Sequence, residues 1–219
     1  MTAVDTLILA SYFFVLLILA VYGWHRYYLV YIYMKHKHEQ PQPKGVFAEL
    51  PVVTIQLPLY NEMYVVDRLV DAVCQIDYPR ERLEIQVLDD STDETREIAE
   101  LAVRRHALHG IDIKYIHRED RTGFKAGALD EGLKVARGSY VAIFDADFIP
   151  KPDFLKRTID YFTDPKVALV QARWGHINED YSLLTKIQAI LLDAHFVLEH
   201  GSRNRGGCFF NFNGTAGIW

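Results

Sequence analysis

Along the chain the hydrophobic positions keep two different rhythms. Thr6 to Trp24 is a run of nineteen residues without a charge, mostly Leu, Ile, Val, Ala and Phe. At ~1.5 Å per residue a helix of that length spans roughly 28 Å, close to the thickness of a bilayer core. Tyr22, Trp24, Tyr27 and Tyr28 cluster where an interfacial aromatic belt belongs. A cleaved signal peptide wants a basic start and a short apolar core, whereas the only charge before this run is Asp5. A buried core helix is the remaining alternative. Arg26, Lys35 and Lys37 follow the span and no basic residue precedes it, so its carboxyl side is expected to face the cytoplasm. His25, His36 and His38 lie in this basic stretch without carboxylates at ligand spacing and read as solvated surface. Pro41 to Gly45 is a short semi-rigid linker. Residues 1–45 are therefore expected to form a transmembrane helix with its linker, and residues 46–219 a separate domain.

From Pro51 the rhythm shortens into apolar runs of strand length alternating with helical spacing. Val52 to Leu57, Leu83 to Leu88, Ile111 to Ile116, Tyr140 to Phe144 and Val167 to Gln171 are predicted strands. Between them Met63 to Ile76, a stretch capped by Thr92 or Asp93 and running to about His109, Ala126 to Ala136 (closed by Gly138) and Phe154 to Phe162 are predicted helices. Tyr181 to His200 reads as one long amphipathic helix, with His195 and Glu199 an intrahelical pair. Strands alternating with helices at this spacing define an α/β fold with a largely parallel, doubly wound sheet.

Composition narrows the classes. Half the residues are hydrophobic and the formal charge is −5, so no excess of positive charge argues for nucleic acid. Cys74 and Cys208 are too few for a disulfide framework or a zinc site and read as reduced, buried thiols.

The candidate chemistry lies at the strand ends. The strand Tyr140–Phe144 stops in Asp145-Ala146-Asp147, with Pro150 and Pro152 preventing any continuation. Two carboxylates one residue apart repel unless a cation bridges them, and Mg²⁺ or Mn²⁺ takes such oxygen ligands together with phosphate oxygens. Two other strands end in Tyr60-Asn61-Glu62 and Asp89-Asp90. In a parallel sheet these ends share one edge, where open α/β sheets bind ligands. Neither G-x-x-x-x-G-K-[ST] nor a G-x-G-x-x-G after the first strand is present, so a nucleotide would be held by carboxylates, a metal ion and Lys125.

Gln56-Leu57-Pro58-Leu59-Tyr60-Asn61-Glu62, Leu88-Asp89-Asp90-Ser91-Thr92-Asp93, Arg121 to Leu129 (Arg-Thr-Gly-Phe-Lys-Ala-Gly-Ala-Leu) and Asp145-Ala146-Asp147 together resemble family 2 glycosyltransferases of GT-A fold. Gln171-Ala172-Arg173-Trp174 and Phe209 to Gly217 are similar to segments of cellulose synthase and, more closely, of cellulose-synthase-like mannan and glucomannan synthases. The resemblance implies a Rossmann-like sheet covered by helices on both faces. It also implies that Tyr60, Glu62, Asp89 and Asp90 hold the base and ribose of a nucleotide sugar, and that Lys125 faces the diphosphate. Asp145 and Asp147 would bind the divalent metal, Asp147 being the more direct ligand, and Asn213, Gly214 and Thr215 would lie near the acceptor sugar. Gln171 to Trp174 would shape the donor side, or else end a strand with Trp174 in the core.

What the resemblance implies is inverting transfer of a hexose from UDP-glucose or GDP-mannose to a growing β-linked glycan at the cell membrane, with the catalytic domain on the cytoplasmic side. The family supplies its general base from a Thr-Glu-Asp motif and binds the growing chain through Gln-x-x-Arg-Trp. Neither occurs before Trp219, so the base is expected beyond it and the domain is expected to lack its carboxyl-terminal part. Three alternatives remain: transfer to a polyprenyl-phosphate lipid, a non-catalytic nucleotide-sugar-binding membrane subunit, or an unrelated nucleotidyltransferase or NTP-hydrolysing domain.

Overall fold

The computed structural model describes residues 2–219. The β-rich sequence from residue 51 onward builds a six-stranded sheet: Val53–Leu59 (β1), Leu83–Asp89 (β2), Ile113–His117 (β3), Tyr140–Ile143 (β4), Val170–Gln171 (β5) and Gly217–Ile218 (β6). Their order is β3-β2-β1-β4-β6-β5. β1 pairs in parallel with β2 and β4, and β2 with β3, whereas β6 runs antiparallel to both β4 and β5. The chain thus winds outward from β1 to β3 and then returns to lay β4 on the other side of β1. That reversal opens a crevice beyond the carboxyl ends of β1 and β4, the usual ligand position in such sheets.

Strand alternation explains how the sheet is covered. On one face Ile55, Leu57, Ile85 and Val87 are fully buried. The other face of β1 and β2 carries Thr54, Gln56, Glu84 and Gln86, also buried, so the strand read as apolar from the sequence hides polar side chains on one of its two covered faces. These groups bond across the strands: the Gln56 amide donates to Gln86 (3.0 Å) and to the Leu129 carbonyl (3.3 Å). Phe124–Lys134 (α4) packs on β1 and β2, and Gly132 permits the approach, since a Cβ there would lie 2.6 Å from Gln56 Nε2.

Val66–Cys74 (α2) and Thr95–Leu108 (α3) pack together, with Val66, Leu69, Val70 and Val73 buried. α2 begins later than the apolar spacing predicts, because Val65 and Val66 first turn back onto the Glu62 carbonyl (3.1 Å each). Asp93, rather than Thr92, serves the start of α3 by accepting the Thr95 N–H (3.0 Å). Gly138 does not close α4, whose cap is Val135. It instead passes under β1, where a Cβ would sit 2.4 Å from the Thr54 nitrogen. Phe154–Thr158 (α5) continues into a 3₁₀ turn, Ile159–Thr163. β5 is shorter than predicted, and β6 has too few residues to leave a periodic signal.

The chain divides into two compact units: the sheet unit, Gln42–Ala172 with Phe212–Trp219, and a second made of Met1–Pro41 with Arg173–Asn211. In the second unit Ala3–His36 (α1) is a single helix of 34 residues, opened by a reciprocal Thr2–Asp5 capping box. By length and composition it could cross a membrane, and none of its most apolar window is buried within the protein. Further along, Leu29 and Ile32 are buried. The expected long helix after Tyr181 is broken in pitch: Leu183–Asp193 (α6) passes into a π-helical segment, Ala194–His200, and then Gly201–Arg205 (α7). Within it His195 and Glu199 pair as expected (3.5 Å), and Glu199 also meets Arg26 (3.4 Å) and Arg203 (3.1 Å). Trp174 packs on Phe196, with ring centroids 5.3 Å apart. Both cysteines are free, but Cys208 is exposed rather than buried, whereas burial pushes the Cys74 thiol up to about 12.

Candidate active site

Each strand end contributes differently to the crevice. After β1 the chain turns at Asn61, which adopts φ +56° and ties two loops together. Its N–H donates to Ser91 Oγ (2.8 Å) and its side-chain oxygen accepts the Thr92 N–H (3.0 Å). Ala216 (φ +54°), immediately before β6, and Phe124 (φ +50°), at the start of α4, are the other non-glycine residues with left-handed backbone among those described. Such conformations cost on the order of 1 kcal/mol or more each and gather where function demands them.

After β2, Asp89 and Asp90 look equivalent in sequence and are not. Asp89 is fully buried: one oxygen accepts the Ser91 N–H (2.9 Å) and the other the Tyr115 hydroxyl (2.6 Å). Burial and that carboxylate together hold the Tyr115 phenol protonated far above its ordinary range. Asp90 is nearly buried and accepts a two-pronged bond from Arg118, at 2.8 and 2.6 Å. The same guanidinium donates to the carbonyls of Thr122 (3.2 Å) and Phe124 (3.1 Å), pinning the turn that launches α4. Arg118 was not singled out from the sequence. It directly follows β3, so the strand-end rule that found the acidic residues could also have found it.

Within that pinned turn, Arg121 lies over the Tyr60 ring, with Cζ 3.3 Å from the centroid, and 5.1 Å from the Phe124 ring. Lys125, one residue into α4, bridges Asp145 and the Gly214 carbonyl, the latter at 2.7 Å. The Asp145 N–H donates to the buried Thr215 hydroxyl (2.7 Å). Gln171 holds the same segment in place, its amide donating to the Thr215 carbonyl (2.9 Å) and accepting the Asn213 N–H (3.2 Å). Asn213, Gly214 and Thr215 are thereby brought against Asp145 although about 70 residues separate them in sequence. Gln171 thus shapes this segment, and Trp174 packs on Phe196.

Asp147 is exposed, and no hydrogen bond or ion pair holds it among the described residues. Its charge is nevertheless felt: the Glu62 carboxyl is pushed above its ordinary range by partial desolvation, then by Asp147, Asp145 and Asp93. Four carboxylates from three loops therefore repel across one hollow. No group of three or more ligating side chains stands ready for a metal among the described residues. The fit is to a hard cation that takes one or two carboxylates and draws its other ligands from phosphate and water. Of the residues expected to form a site, Glu62, Lys125, Asp145 and Asp147 with Gly214 and Thr215 converge on this crevice, Tyr60 flanks it under Arg121, and Asp89 stays beneath it.

A mostly parallel sheet whose switch point carries carboxylates, a lysine and no glycine-rich cradle is the architecture of GT-A glycosyltransferases. Residues 54–216 match the family model for glycosyl transferase family 2, and the chain belongs to that family. It is 50% identical over 177 residues to glucomannan 4-beta-mannosyltransferase 2 of Arabidopsis thaliana, covering 78% of this chain and 33% of that protein. With glucomannan 4-beta-mannosyltransferase 1 of Oryza sativa subsp. japonica it shares 49% identity over 177 residues, 78% of this chain and 34% of that protein. The chain therefore spans about a third of the length of these relatives. Among solved structures it is similar to a mannosyltransferase from Pyrobaculum calidifontis in complex with GDP-Man and Mn²⁺, at TM-score 0.57 and 30% identity, covering 74% of this chain and 48% of that one.

Proposed function

We propose that residues 46–219 bind a nucleoside diphosphate sugar in the β1/β4 crevice and belong to an inverting, membrane-bound hexosyltransferase that extends a β-linked glycan. The carrying observation is the convergence of Glu62, Asp145, Asp147 and Lys125 on one hollow, with the Asn213–Thr215 segment against its wall. GDP-mannose is the favoured donor over UDP-glucose, because the named relatives are mannosyltransferases and the similar solved structure holds GDP-Man.

In this reading Tyr60 and Glu62 surround the base and ribose, Asp90 acts through Arg118 by fixing the turn that carries Arg121, and Asp89 acts from below by fixing Ser91 and Tyr115. Asp145 and Asp147 would hold Mg²⁺ or Mn²⁺, which supplies Lewis-acid stabilisation of charge on the leaving diphosphate. Lys125 leaves Asp145 or shares it to neutralise the same charge. The acceptor, seated by Asn213, Gly214 and Thr215, presents a hydroxyl to the anomeric carbon as the bond to the phosphate oxygen breaks. We assign the proton of that hydroxyl to no residue of this chain. Residues 1–45 serve as membrane anchor and linker, with the domain on the cytoplasmic side.

The test offers membranes containing the protein labelled GDP-mannose or UDP-glucose with Mn²⁺. Residues 1–219 alone are expected to bind the donor with metal and to transfer sugar poorly or not at all. Within a longer chain that supplies the general base, label is expected in a polymer cleaved by β-mannanase; label extractable into organic solvent as a lipid-linked sugar supports the polyprenyl-phosphate alternative. Efficient polymer formation by residues 1–219 alone would overturn the expectation that the base lies outside them, and binding of neither donor would overturn the reading of the crevice.

A further inference from the structure

Arg121 sits in the crevice with its hydrogen-bonding capacity unspent. Its Nε is buried and has no partner, and no acceptor meets its guanidinium among the described residues. Its Cζ lies over the Tyr60 ring, 3.3 Å from the centroid, and 5.1 Å from the Phe124 centroid. The turn that carries it is fixed from outside by Arg118, through both oxygens of Asp90 and the carbonyls of Thr122 and Phe124. Gly123 (φ +76°) and Phe124 (φ +50°) are held left-handed to make that turn. Tyr60 is 39% exposed and Phe124 66%, so a planar ligand can reach the arginine from solvent.

A guanidinium oriented by an aromatic face, with its N–H fork free, is matched by two acceptors side by side in one plane. The Hoogsteen edge of guanine offers that pair, O6 and N7, and arginine bonds it bidentately. Uracil has no such edge, because its carbonyl oxygens are separated by the N3–H donor. Adenine presents one acceptor beside a donor. A phosphate would also satisfy the fork, but in the proposed reading the diphosphate is met by Lys125 beside Asp145, which leaves Arg121, over the Tyr60 ring, to the base. We infer that Arg121 is a specificity-determining residue that reads the O6/N7 edge of the nucleobase and makes the site select guanosine over uridine diphosphates. This rests on the reading of the crevice as a nucleoside diphosphate site, and it adds the residue and the contact that choose the base.

The experiment is calorimetric titration of the full chain in detergent with GDP, inosine diphosphate, 7-deaza-GDP and UDP, each with Mn²⁺. GDP and inosine diphosphate, which share O6 and N7, are expected to bind alike and about tenfold or more tighter than UDP. 7-deaza-GDP, lacking only the N7 acceptor, is expected to lose several-fold. Arg121→Ala, and Arg121→Lys, which keeps the charge and loses the fork, should bring GDP down to the level of UDP and leave UDP within about twofold. Equal losses for GDP and UDP would assign Arg121 to the phosphates and overturn the inference. So would 7-deaza-GDP binding as tightly as GDP to the unaltered protein, a measurement that needs no variant to fold. If none of the four ligands bound, the nucleotide-sugar reading itself would fall.

Discussion

The two ends of the parallel strands carry comparable charge and treat it in opposite ways. At the amino ends, Glu84 is fully buried yet completely served. Thr54 Oγ1 (2.6 Å), Lys114 Nζ (2.6 Å) and the Arg137 N–H (2.7 Å) all donate to it. Burial alone would push its carboxyl up, but these donors outweigh it and hold the group below its ordinary value of 4.5. At the carboxyl ends, Glu62 is driven the other way, Asp147 has no partner among the described residues, and Arg121 keeps its donors free. Buried charge is tolerated when every oxygen is paired. Charge left unpaired, beside three strained backbone positions, marks the end that awaits a ligand.

The sharpest way to break this contrast is to remove one carboxylate from each end. Asp147→Ala is expected to lower GDP affinity in Mn²⁺ and any transfer activity by roughly 10²–10³-fold, the scale of losing one group that stabilises the reacting charge. Because Asp147 is exposed, the unfolding free energy should stay within about 0.5 kcal/mol. Undiminished donor affinity would remove the basis for the proposed function.

Glu84→Ala should do the reverse. Lys114 and the Arg137 N–H lose a buried acceptor, which costs roughly 3 kcal/mol of folding stability, read from chemical denaturation. Nucleotide affinity of the folded fraction should not change. A variant as stable as the parent would show that the network is ornamental.

This division was only partly legible in the sequence. Alternating apolar runs gave the strands, because each is long enough to show its period, and the strand-end rule gathered Glu62, Asp90, Lys125 and Asp147. The environment of each acid was not legible. Asp89 and Asp90 are neighbours, but strand alternation sends one under Tyr115 and the other to Arg118. Arg118 and Arg121 carry no motif that separates a clamp from a free guanidinium. That difference depends on the left-handed turn at Gly123 and Phe124, which sequence leaves open for a phenylalanine. β6 and the π-helical segment are tertiary outcomes: two residues caught between β4 and β5, and a helix repacked in pitch.

A milder probe is Lys125→Met. Losing the ammonium should weaken GDP binding about tenfold and free the Gly214 carbonyl, which faster hydrogen exchange over residues 212–216 would report. The Lys125–Asp145 pair is more than a third exposed on both sides, so screening limits its share of stability to under about 1 kcal/mol. A larger loss of stability than of affinity would place Lys125 with the scaffold rather than the site.

The smallest effect is also the one that compares the two ends in a single titration. Glu84 has its folded carboxyl below 4.5, so the unfolded chain binds the proton first. Its contribution is fully present above about 4.5 and is lost as pH falls through the folded value. Glu62 has its carboxyl raised above 4.5, so the folded chain holds the proton longer and stability falls as pH climbs from 4.5 through the folded value. Unfolding measured across that range should lose its acidic rise in Glu84→Gln and its shallow decline in Glu62→Gln. Mn²⁺ should abolish the Glu62 decline, because a cation near Asp147 and Asp145 favours the ionised form and releases the proton. If Mn²⁺ left that slope unchanged while GDP still bound, the repelling carboxylates would not be the cation's site.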